Sequence, residues 1–186
     1  MLSASKMWGQ LMTDPYRMSL LMTEFMGLWN TGHSIYVFAE EREHVIMMHK
    51  HIQGAIGAVD GAIYAPELFV FMGGCKNSAE VVESARVIVT TYGYAGTGVS
   101  IARMTAILHA TSRRAQIVQI IGRIRRRDGD MTAPRKVVYI NDVKSGLGGQ
   151  VVDQIAAYKF YDFPYETRSV SWKDIHPGQD VSPTNM

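Results

Sequence analysis

Three polar side chains recur at helical spacing past the middle of this 186-residue chain, namely Gln119, Arg123 and Arg126. At about 100° per residue, a helix places them within roughly 60° of one another. The other side of the helix carries isoleucines at positions 117, 120, 121 and 124, which account for packing against a core. Two arginines about one turn apart can donate to phosphate oxygens, and stabilising charge during phosphoryl transfer needs such donors. We therefore favour a phosphate-contacting helix face over a merely solvated basic surface.

A glycine-rich stretch, GYAGTG at residues 93–98, follows a buried-looking apolar run at residues 86–90. Its glycines are spaced by three and then two residues, the reverse of a dinucleotide fingerprint, and no Lys-Ser/Thr follows as in a P-loop. Because α/β sheets bind ligands at the carboxyl ends of their strands, its amides and hydroxyls are placed to contact phosphate or ribose. An ordinary glycine-rich turn explains these residues equally well when they are taken alone.

Helical periodicity recurs along the chain and predicts the helices that accompany these groups. Asp14 and Pro15 have the residue types of an N-cap and a first helical residue, and an apolar repeat of three and four residues runs from there to Gly32. Helical spacing or capping residues predict further helices at residues 40–53, from Asn77 to near Arg86, and at residues 149–160. Two stretches lack a helical period: residues 1–13, and residues 54–67, which read as a loop or small insertion.

Short and nearly continuous apolar runs separate these helices. They predict strands at residues 34–38, 68–72, 87–90, 105–109 and 136–140. A last short strand is expected at residues 167–171, which are mostly polar. Because the runs are continuous rather than alternating, we expect both faces of the sheet to be covered. The pattern predicts a doubly wound α/β fold with a mainly parallel sheet. His109, at the end of one strand, is expected to hydrogen-bond the glycine-rich stretch or to cap its own strand.

Composition restricts the class of protein further. Net charge is only +2, yet arginines crowd between residues 113 and 127, a local footprint typical of polyanion binding. The single cysteine excludes an intrachain disulfide and fits a reducing, intracellular compartment. No apolar run approaches the length of a membrane span, so no membrane partner is expected. His44, His49 and His51 lack ligand spacing and are expected on a solvated helix face, so no metal site is predicted.

Two motifs together resemble those of superfamily 2 helicases. TYGYAGTGVSI at residues 91–101 resembles motif V, and QIIGRIRR at residues 119–126 resembles motif VI, of the form Q-x-x-G-R-x-x-R. SIYVF at residues 34–38 resembles the strand of motif IV. The resemblance covers roughly residues 34–142, in the order and spacing of the second, C-terminal RecA-like lobe. It is closest to viral and phage members, namely the phage branch-migration helicases and the poxvirus transcript-release helicase.

The resemblance implies a RecA-like fold and a role for each matching residue. Arg123 and Arg126 would be arginine fingers that reach the phosphates of ATP, and Gln119 would contact the nucleotide or the opposite lobe. Three residues would lie beside the nucleotide: Gly98, Ser100 and Gly122. Many family members carry Asp where Ser100 stands, so a ribose contact would be weaker or absent here. The nucleic-acid backbone would be contacted by Gly73, Gly74, Thr91 and Thr97.

Arg113 and Arg114 are further candidates for phosphate contacts on the nucleic-acid side, and a solvated turn explains them nearly as well. On the family pattern, the chain divides into a helical lead-in at residues 1–32, a RecA-like domain at residues 33–175 and a flexible tail at residues 176–186. Trp8, Trp29 and Trp172 are expected to be packing residues rather than base-stacking platforms.

Neither G-x-G-K-[ST] nor Asp-Glu-x-His/Asp occurs in the sequence. In this family those motifs lie in the first lobe, where they hold the phosphates of ATP and Mg²⁺. We therefore expect the chain to be the C-terminal half of an ATP-dependent helicase, inactive alone. Its expected partners are an N-terminal RecA-like lobe and nucleic acid, with DNA preferred over RNA. A viral protein in the host cytoplasm or the virion is the expected setting.

Two other functions remain open from the residues. One is a stand-alone nucleic-acid-binding or regulatory module that has a helicase-like fold and no ATPase activity. The other, which we disfavour, is a Rossmann-like dinucleotide enzyme. The glycine order is wrong for that enzyme, and the acidic residue expected at the end of the next strand is missing.

Overall fold

The computed structural model describes residues 3–60, 67–73, 84–95, 101–113, 115–125, 132–143 and 145–171. Within these ranges, five strands form one sheet: β1 (Ile35–Ala39), β2 (Leu68–Phe71), β3 (Val87–Thr91), β4 (Ala106–His109) and β5 (Lys136–Tyr139). The spatial order is β2-β3-β1-β4-β5, and every neighbouring pair is parallel. The predicted parallel α/β sheet is therefore confirmed, with strand ends shifted by one residue or so from the predictions.

Within the described residues, helices precede, connect and follow these strands. They are α1 (Ala4–Thr13), α2 (Pro15–Asn30), α3 (Arg42–Asp60), the single turn α4 (Tyr92–Ala95), α5 (Ile117–Gly122) and α6 (Val151–Phe160), the last following a 3₁₀ turn at Gly148–Gln150. The start of α2 is as predicted, because the carboxylate of Asp14 accepts from the N–H groups of Tyr16 and Arg17 at 2.8 and 3.1 Å. Gly32, with φ of +82°, closes its other end in the left-handed conformation.

Three predictions of local structure are wrong. Residues 4–13 form α1, in which Met7, Trp8, Leu11 and Met12 do recur at helical spacing and Trp8 and Met12 are buried. α3 continues to Asp60, through much of the predicted loop at residues 54–67, because Ile56 extends the buried stripe. Residues 167–171 pair with no strand of the sheet and have exposed side chains. Only Val170 in this stretch is apolar, so it has little surface to bury against the sheet.

The glycine-rich stretch begins with a helical turn rather than a loop, since α4 follows β3 directly. The rest of that stretch, at residues 96–100, lies outside the described residues, as do nearly all of the helix predicted from Asn77 and the tail from residue 176. The helix predicted to carry Gln119 and Arg126 ends at Gly122. Its C-terminal arginines are therefore not all on one regular helix.

Helices cover both faces of the sheet, as the continuous strands predicted. One core joins α1, α2 and α3 to strand residues such as Val37, Val89 and Leu108. The other core joins α5 and α6 to strand residues that point the opposite way, such as Phe38 and Ile107. Trp8 and Trp29 are buried, as expected for packing residues. The division at residue 32 stays a prediction, although α1 and α2 share the core of the lobe.

None of the helices in the described part of the chain is long and apolar enough to cross a membrane. The sheet order puts β1 between β3 and β4, so the carboxyl ends of these three strands meet at one edge. This edge is where ligands bind in open parallel sheets. It is also the edge from which α4 and the segment leading to α5 leave.

Candidate functional site

An open cavity of about 540 Å³ lies at this edge of the sheet. The segment after β1 supplies Glu40, Glu41, Arg42 and Glu43, the end of β3 supplies Thr91 and Gly93, and the segment after β4 supplies Arg113. Two residues predicted to contact nucleic acid, Thr91 and Arg113, are thus brought to one cavity from separate strands. The acidic residues beside them were not predicted.

Arg113 is held at the cavity by an acid rather than left open to solvent. Its Nη1 lies 3.5 Å from Oε2 of Glu40, and its guanidinium lies 5.3 Å from the centroid of the Tyr92 ring. A second nitrogen, Nη2, donates to Gln116 at 3.5 Å. Its buried Nε has no hydrogen-bond partner among the described residues. An incoming phosphate would therefore compete with Glu40 for the same cation.

Thr91 uses its hydroxyl within the chain. Oγ1 accepts from the N–H of Tyr94 at 3.3 Å, which caps the turn α4. The side chain is half-buried at the end of β3 and lines the cavity. Thr91 therefore orients the start of the glycine-rich stretch, and its predicted contact with a nucleic-acid backbone stays a prediction.

A buried pair, Tyr92 and His109, supports the cavity from below. The Tyr92 hydroxyl donates to the carbonyl of Thr111 at 2.5 Å, and its oxygen lies 2.8 Å from Nδ1 of His109. Because that hydroxyl has one proton, the imidazole donates through Nδ1 and its Nε2 carries no proton. The Tyr92 ring stacks on Phe38 and His109, with centroid distances of 5.4 and 5.8 Å. His109 therefore bonds to Tyr92, the residue directly before the glycine-rich stretch, rather than to the stretch itself.

Acid is expected to destabilise the fold through His109. Burial lowers the pKa of this imidazole from 6.5 to about 3, so the unfolded chain binds a proton that the folded chain excludes. The free energy of unfolding then falls as pH drops from 6.5 towards 3, by up to about 1.4 kcal/mol per pH unit. Denaturant unfolding between pH 7 and 4 measures this slope. His109→Asn should flatten it, whereas substitution of the exposed His51 by Gln should not; equal slopes in all three proteins would contradict the assignment.

The other predicted site element, the polar face of α5, is only partly present. Gln119 is exposed on α5, and Ile117, Ile120 and Ile121 are buried beneath it, as predicted. Arg123 lies beyond the last helical residue, half-buried, with its N–H donating to the carbonyl of Ile120 at 3.1 Å. Arg123 keeps right-handed helical dihedral angles, φ −66° and ψ −28°, so the backbone continues past α5 in a tighter final turn.

Gly122, predicted to lie beside the nucleotide, is closely approached by a side chain of the same chain. A Cβ at Gly122 would lie 2.5 Å from the hydroxyl oxygen of Tyr161, which donates to the carbonyl of Val118 at 2.9 Å. Glycine is needed here because no other residue leaves room for that tyrosine. The role of Gly122 at a nucleotide stays a prediction.

The remaining predicted residues divide into two groups. Gly73 is exposed directly after β2 and, like Gln119 and Arg123, is not part of the cavity lining. The others lie outside the described residues: Gly74, Thr97, Gly98, Ser100, Arg114 and Arg126. Three residues that shape the site were missed, namely Glu40, Tyr92 and Tyr161. A charge directly after a buried strand is the signal that identifies Glu40; no spacing marks Tyr161.

Across the described ranges, no cluster of three or more His, Cys, Asp or Glu side chains is arranged to hold a metal ion. His44 is buried rather than solvated, which corrects the expectation for the start of α3, whereas His51 is exposed. Gln119 and Arg123 offer hydrogen-bond donors that suit phosphate oxygens. Arginine cannot ligate Mg²⁺, so the donor set fits the phosphates of a nucleotide better than its metal.

Comparison with known proteins shows what this chain is similar to. No family model matches the chain. A protein named putative ATP-dependent RNA helicase in African swine fever virus is 32% identical over 185 residues, in the Tick/Malawi and the Pig/Kenya isolates alike. The match covers 92% of this chain and 36% of the relative. The chain therefore spans about a third of the length of these curated relatives.

Among solved structures, T4 UvsW matches with a TM-score of 0.64, covering 92% of this chain and 38% of that chain, at 15% identity. This likeness concerns the fold alone, which is RecA-like. The motifs, the viral relatives and the fold agree. The resemblance to the C-terminal lobe of superfamily 2 helicases, in its viral form, is confirmed.

Proposed function

We propose that this chain is the C-terminal lobe of an ATP-dependent nucleic-acid helicase or translocase. The observation that carries the proposal is the Q-x-x-G-R sequence of Gln119, Gly122 and Arg123 at the end of α5 in a RecA-like fold. Here Arg123 follows directly on a helix that is anchored to the sheet by buried isoleucines. Such an arginine is placed to complete a site whose other half belongs to another lobe.

The chemistry divides between the two lobes. ATP with Mg²⁺, held mainly by a first lobe, supplies the phosphoryl group, and Gln119 and Arg123 are the described residues of this chain that would contact it. Arg123, together with Arg126, stabilises charge on the transferring phosphoryl group, which requires positioning rather than covalent chemistry. Domain closure brings the arginines to the phosphates, and repeated closure moves the lobes along one strand.

The nucleic-acid side of the proposal rests on the cavity at the carboxyl edge of the sheet. Arg113 is its phosphate-binding candidate, with Thr91 and Gly73 at the ends of neighbouring strands. Contacts of this kind fix the backbone and carry little sequence preference. The resemblance in the motifs favours DNA, whereas the name of the African swine fever virus relatives refers to RNA. Binding to DNA and binding to RNA must therefore both be measured. The viral relatives support a viral protein that acts in the host cytoplasm.

A salt-titrated binding assay tests this function. The chain is titrated onto single-stranded DNA and RNA, alone and joined to a RecA-like lobe that carries the P-loop and acidic motifs. Arg113→Gln is expected to make the slope of log K against log salt concentration shallower, by about the amount that one phosphate contact contributes. Arg168→Gln is the matched control, because that arginine is exposed and pairs with Glu24 on α2. Equal salt slopes for Arg113→Gln and the unsubstituted chain would remove Arg113 from the proposed track.

Replacement of Glu40 by Gln is expected to strengthen nucleic-acid binding. The carboxylate neutralises Arg113 and repels phosphate, and the glutamine side chain keeps the same size while removing both effects. Because the pair is partly exposed, we expect a gain of about threefold to fivefold in affinity at low salt, shrinking as salt rises. Fluorescence anisotropy measures the change. Glu40→Gln combined with Arg113→Gln should show a smaller gain over Arg113→Gln alone, because only the direct repulsion of phosphate by Glu40 is then relieved.

The alternative, a nucleic-acid-binding module without ATPase, makes the opposite expectation for Arg123. If it holds, binding by the chain is unchanged when a first lobe is joined to it, and the joined protein hydrolyses no ATP. If the helicase function holds, Arg123→Ala abolishes ATP hydrolysis by the joined protein and leaves nucleic-acid binding intact.

A further inference from the structure

The turn that carries Arg123 does not hold its conformation by itself. α5 has six residues, and isolated helices of that length are unstable in water. The N-cap Gln116 has φ of +64° and makes no capping hydrogen bond through its side chain. After α5, the N–H groups of Arg123, Ile124 and Arg125 donate to carbonyls three residues earlier, at 3.1, 3.2 and 3.1 Å. Tertiary contacts must therefore fix residues 122–125, which we call the arginine turn.

One side of the arginine turn is fixed by the core. Ile120, Ile121 and Ile124 are buried between α5 and the sheet. Isoleucine packing fixes how deeply the segment sits but is non-directional. It does not by itself fix the rotation of the backbone at Arg123.

The outer side is fixed by Tyr161, which directly follows α6. Its hydroxyl donates to the carbonyl of Val118 at 2.9 Å, and the hydroxyl end of its ring lies where a side chain at Gly122 would begin. A Cβ on Gly122 would meet the hydroxyl oxygen at 2.5 Å and Cζ at 3.5 Å. The first distance is a clash and the second is ordinary contact. The fit between glycine and tyrosine is therefore specific to the hydroxyl.

Arg125, two residues past Arg123, is held by the same segment. Its Nη1 donates to the carbonyl of Tyr161. Its guanidinium lies 5.5 Å from the ring centroid of Tyr161 and 5.3 Å from that of Phe163. A cation against two aromatic faces is an orienting contact as well as a stabilising one. Tyr161 and Phe163, which we call the aromatic clamp, thus hold the arginine turn before and after Arg123.

The aromatic clamp is itself fixed to the end of α6. Asp162 has φ of +55°, and its N–H donates to the carbonyl of Lys159 at 3.2 Å. The N–H of Phe163 donates to the carbonyl of Tyr158 at 2.9 Å, and a proline follows. These bonds close the helix with a left-handed residue and stop it. The clamp is therefore a defined support rather than a loose loop.

We propose that the aromatic clamp is the positioning device for Arg123, and that Gly122 and Arg125 are its contact points on the arginine turn. The proposal rests on the proposed function only in that Arg123 acts on ATP. Loosening the clamp lets Arg123 sample other directions. Because an arginine finger contributes in the transition state, loosening lowers kcat and leaves KM nearly unchanged.

A double-mutant cycle on Gly122 and Tyr161 tests the proposal in the full chain. Gly122→Ala displaces the tyrosine and is expected to raise amide hydrogen exchange in the arginine turn by about tenfold or more. Tyr161→Phe removes the clashing oxygen, so adding it to Gly122→Ala returns exchange to the level of Tyr161→Phe alone. Exchange in β1 and β3 is the internal control for global unfolding. Unchanged exchange in Gly122→Ala, or a double variant at least as fast as it, overturns the clamp.

The same variants are then measured for ATP hydrolysis after fusion to a first lobe. Gly122→Ala is expected to lower kcat by about tenfold to a hundredfold with KM unchanged, and Tyr161→Phe in the same chain to restore most of it. Arg125→Lys, which keeps the charge but not the planar group, should lower kcat and raise exchange together. A rise in KM alone would overturn the positioning role. Absence of any Arg123-dependent hydrolysis in the unsubstituted fusion would instead refute the proposed function, while the exchange cycle still decides on the clamp.

Discussion

Substitution of Arg123 by Ala is expected to lower ATP turnover at least about a thousandfold in the chain joined to a first lobe. Arg123 would donate to charge that develops on the transferring phosphoryl group, and alanine leaves that charge without a donor. Arg123→Lys should recover only part of the rate, because an ammonium group cannot make the paired contacts of a guanidinium. Steady-state ATP hydrolysis, with nucleic acid present, measures both variants.

The matched control for Arg123 is Arg168→Ala. Arg168 is exposed and forms an ion pair with Glu24 on α2, so its loss should leave turnover unchanged. Nucleic-acid binding by Arg123→Ala should also stay at the level of the unsubstituted protein. A variant that hydrolyses ATP within a few fold of that protein would exclude an arginine-finger role for this residue.

The largest effect on stability is expected from the buried ion pair between Arg17 and Asp142. Nε of Arg17 donates to both oxygens of Asp142, at 2.9 and 3.1 Å, and joins α2 to the segment after β5. The two side chains are 5% and 13% exposed, so either charge is largely desolvated when its partner is lost. Arg17→Ala should lower the free energy of unfolding by about 3–5 kcal/mol, as measured by denaturant unfolding.

Two further variants show whether the loss of stability in Arg17→Ala comes from the unpaired buried charge. Arg17→Met with Asp142→Leu removes both charges and should recover most of the loss, because no unpaired charge stays buried. Glu24→Ala breaks the more exposed pair with Arg168 and should cost less than about 1 kcal/mol. If Arg17→Ala costs no more than Glu24→Ala, the pair does not fasten α2 to the lobe.

The strands of the sheet were predictable because each one has its signal within its own few residues. Each strand is a continuous apolar run, and continuous runs occur where both faces are covered. The start of α2 was predictable for the same reason, because the N-cap residue Asp14 and the first helical residue Pro15 are adjacent in sequence. α1 also carries a local signal, because Met7, Trp8, Leu11 and Met12 recur at three- and four-residue steps, but that signal was missed.

The site was only partly predictable. That Thr91 and Arg113 would meet follows from the rule that parallel strands end at one edge. Arg113 pairs with Glu40 because β4 and β1 are neighbours in the sheet. The order of the strands cannot be predicted from any single segment of the sequence. Tyr161, which lies against Gly122 at the end of α5, is distant in sequence, so a helical wheel gives no sign of that contact.

The central claim is that this chain contributes half of an ATPase site. Its most direct test is ATP hydrolysis by the purified chain, alone and fused to a RecA-like lobe that carries the P-loop and acidic motifs. We expect negligible turnover by the chain alone and nucleic-acid-stimulated turnover by the fusion that is lost with Arg123→Ala. Robust hydrolysis by the chain alone that is lost with Arg123→Ala would contradict the claim.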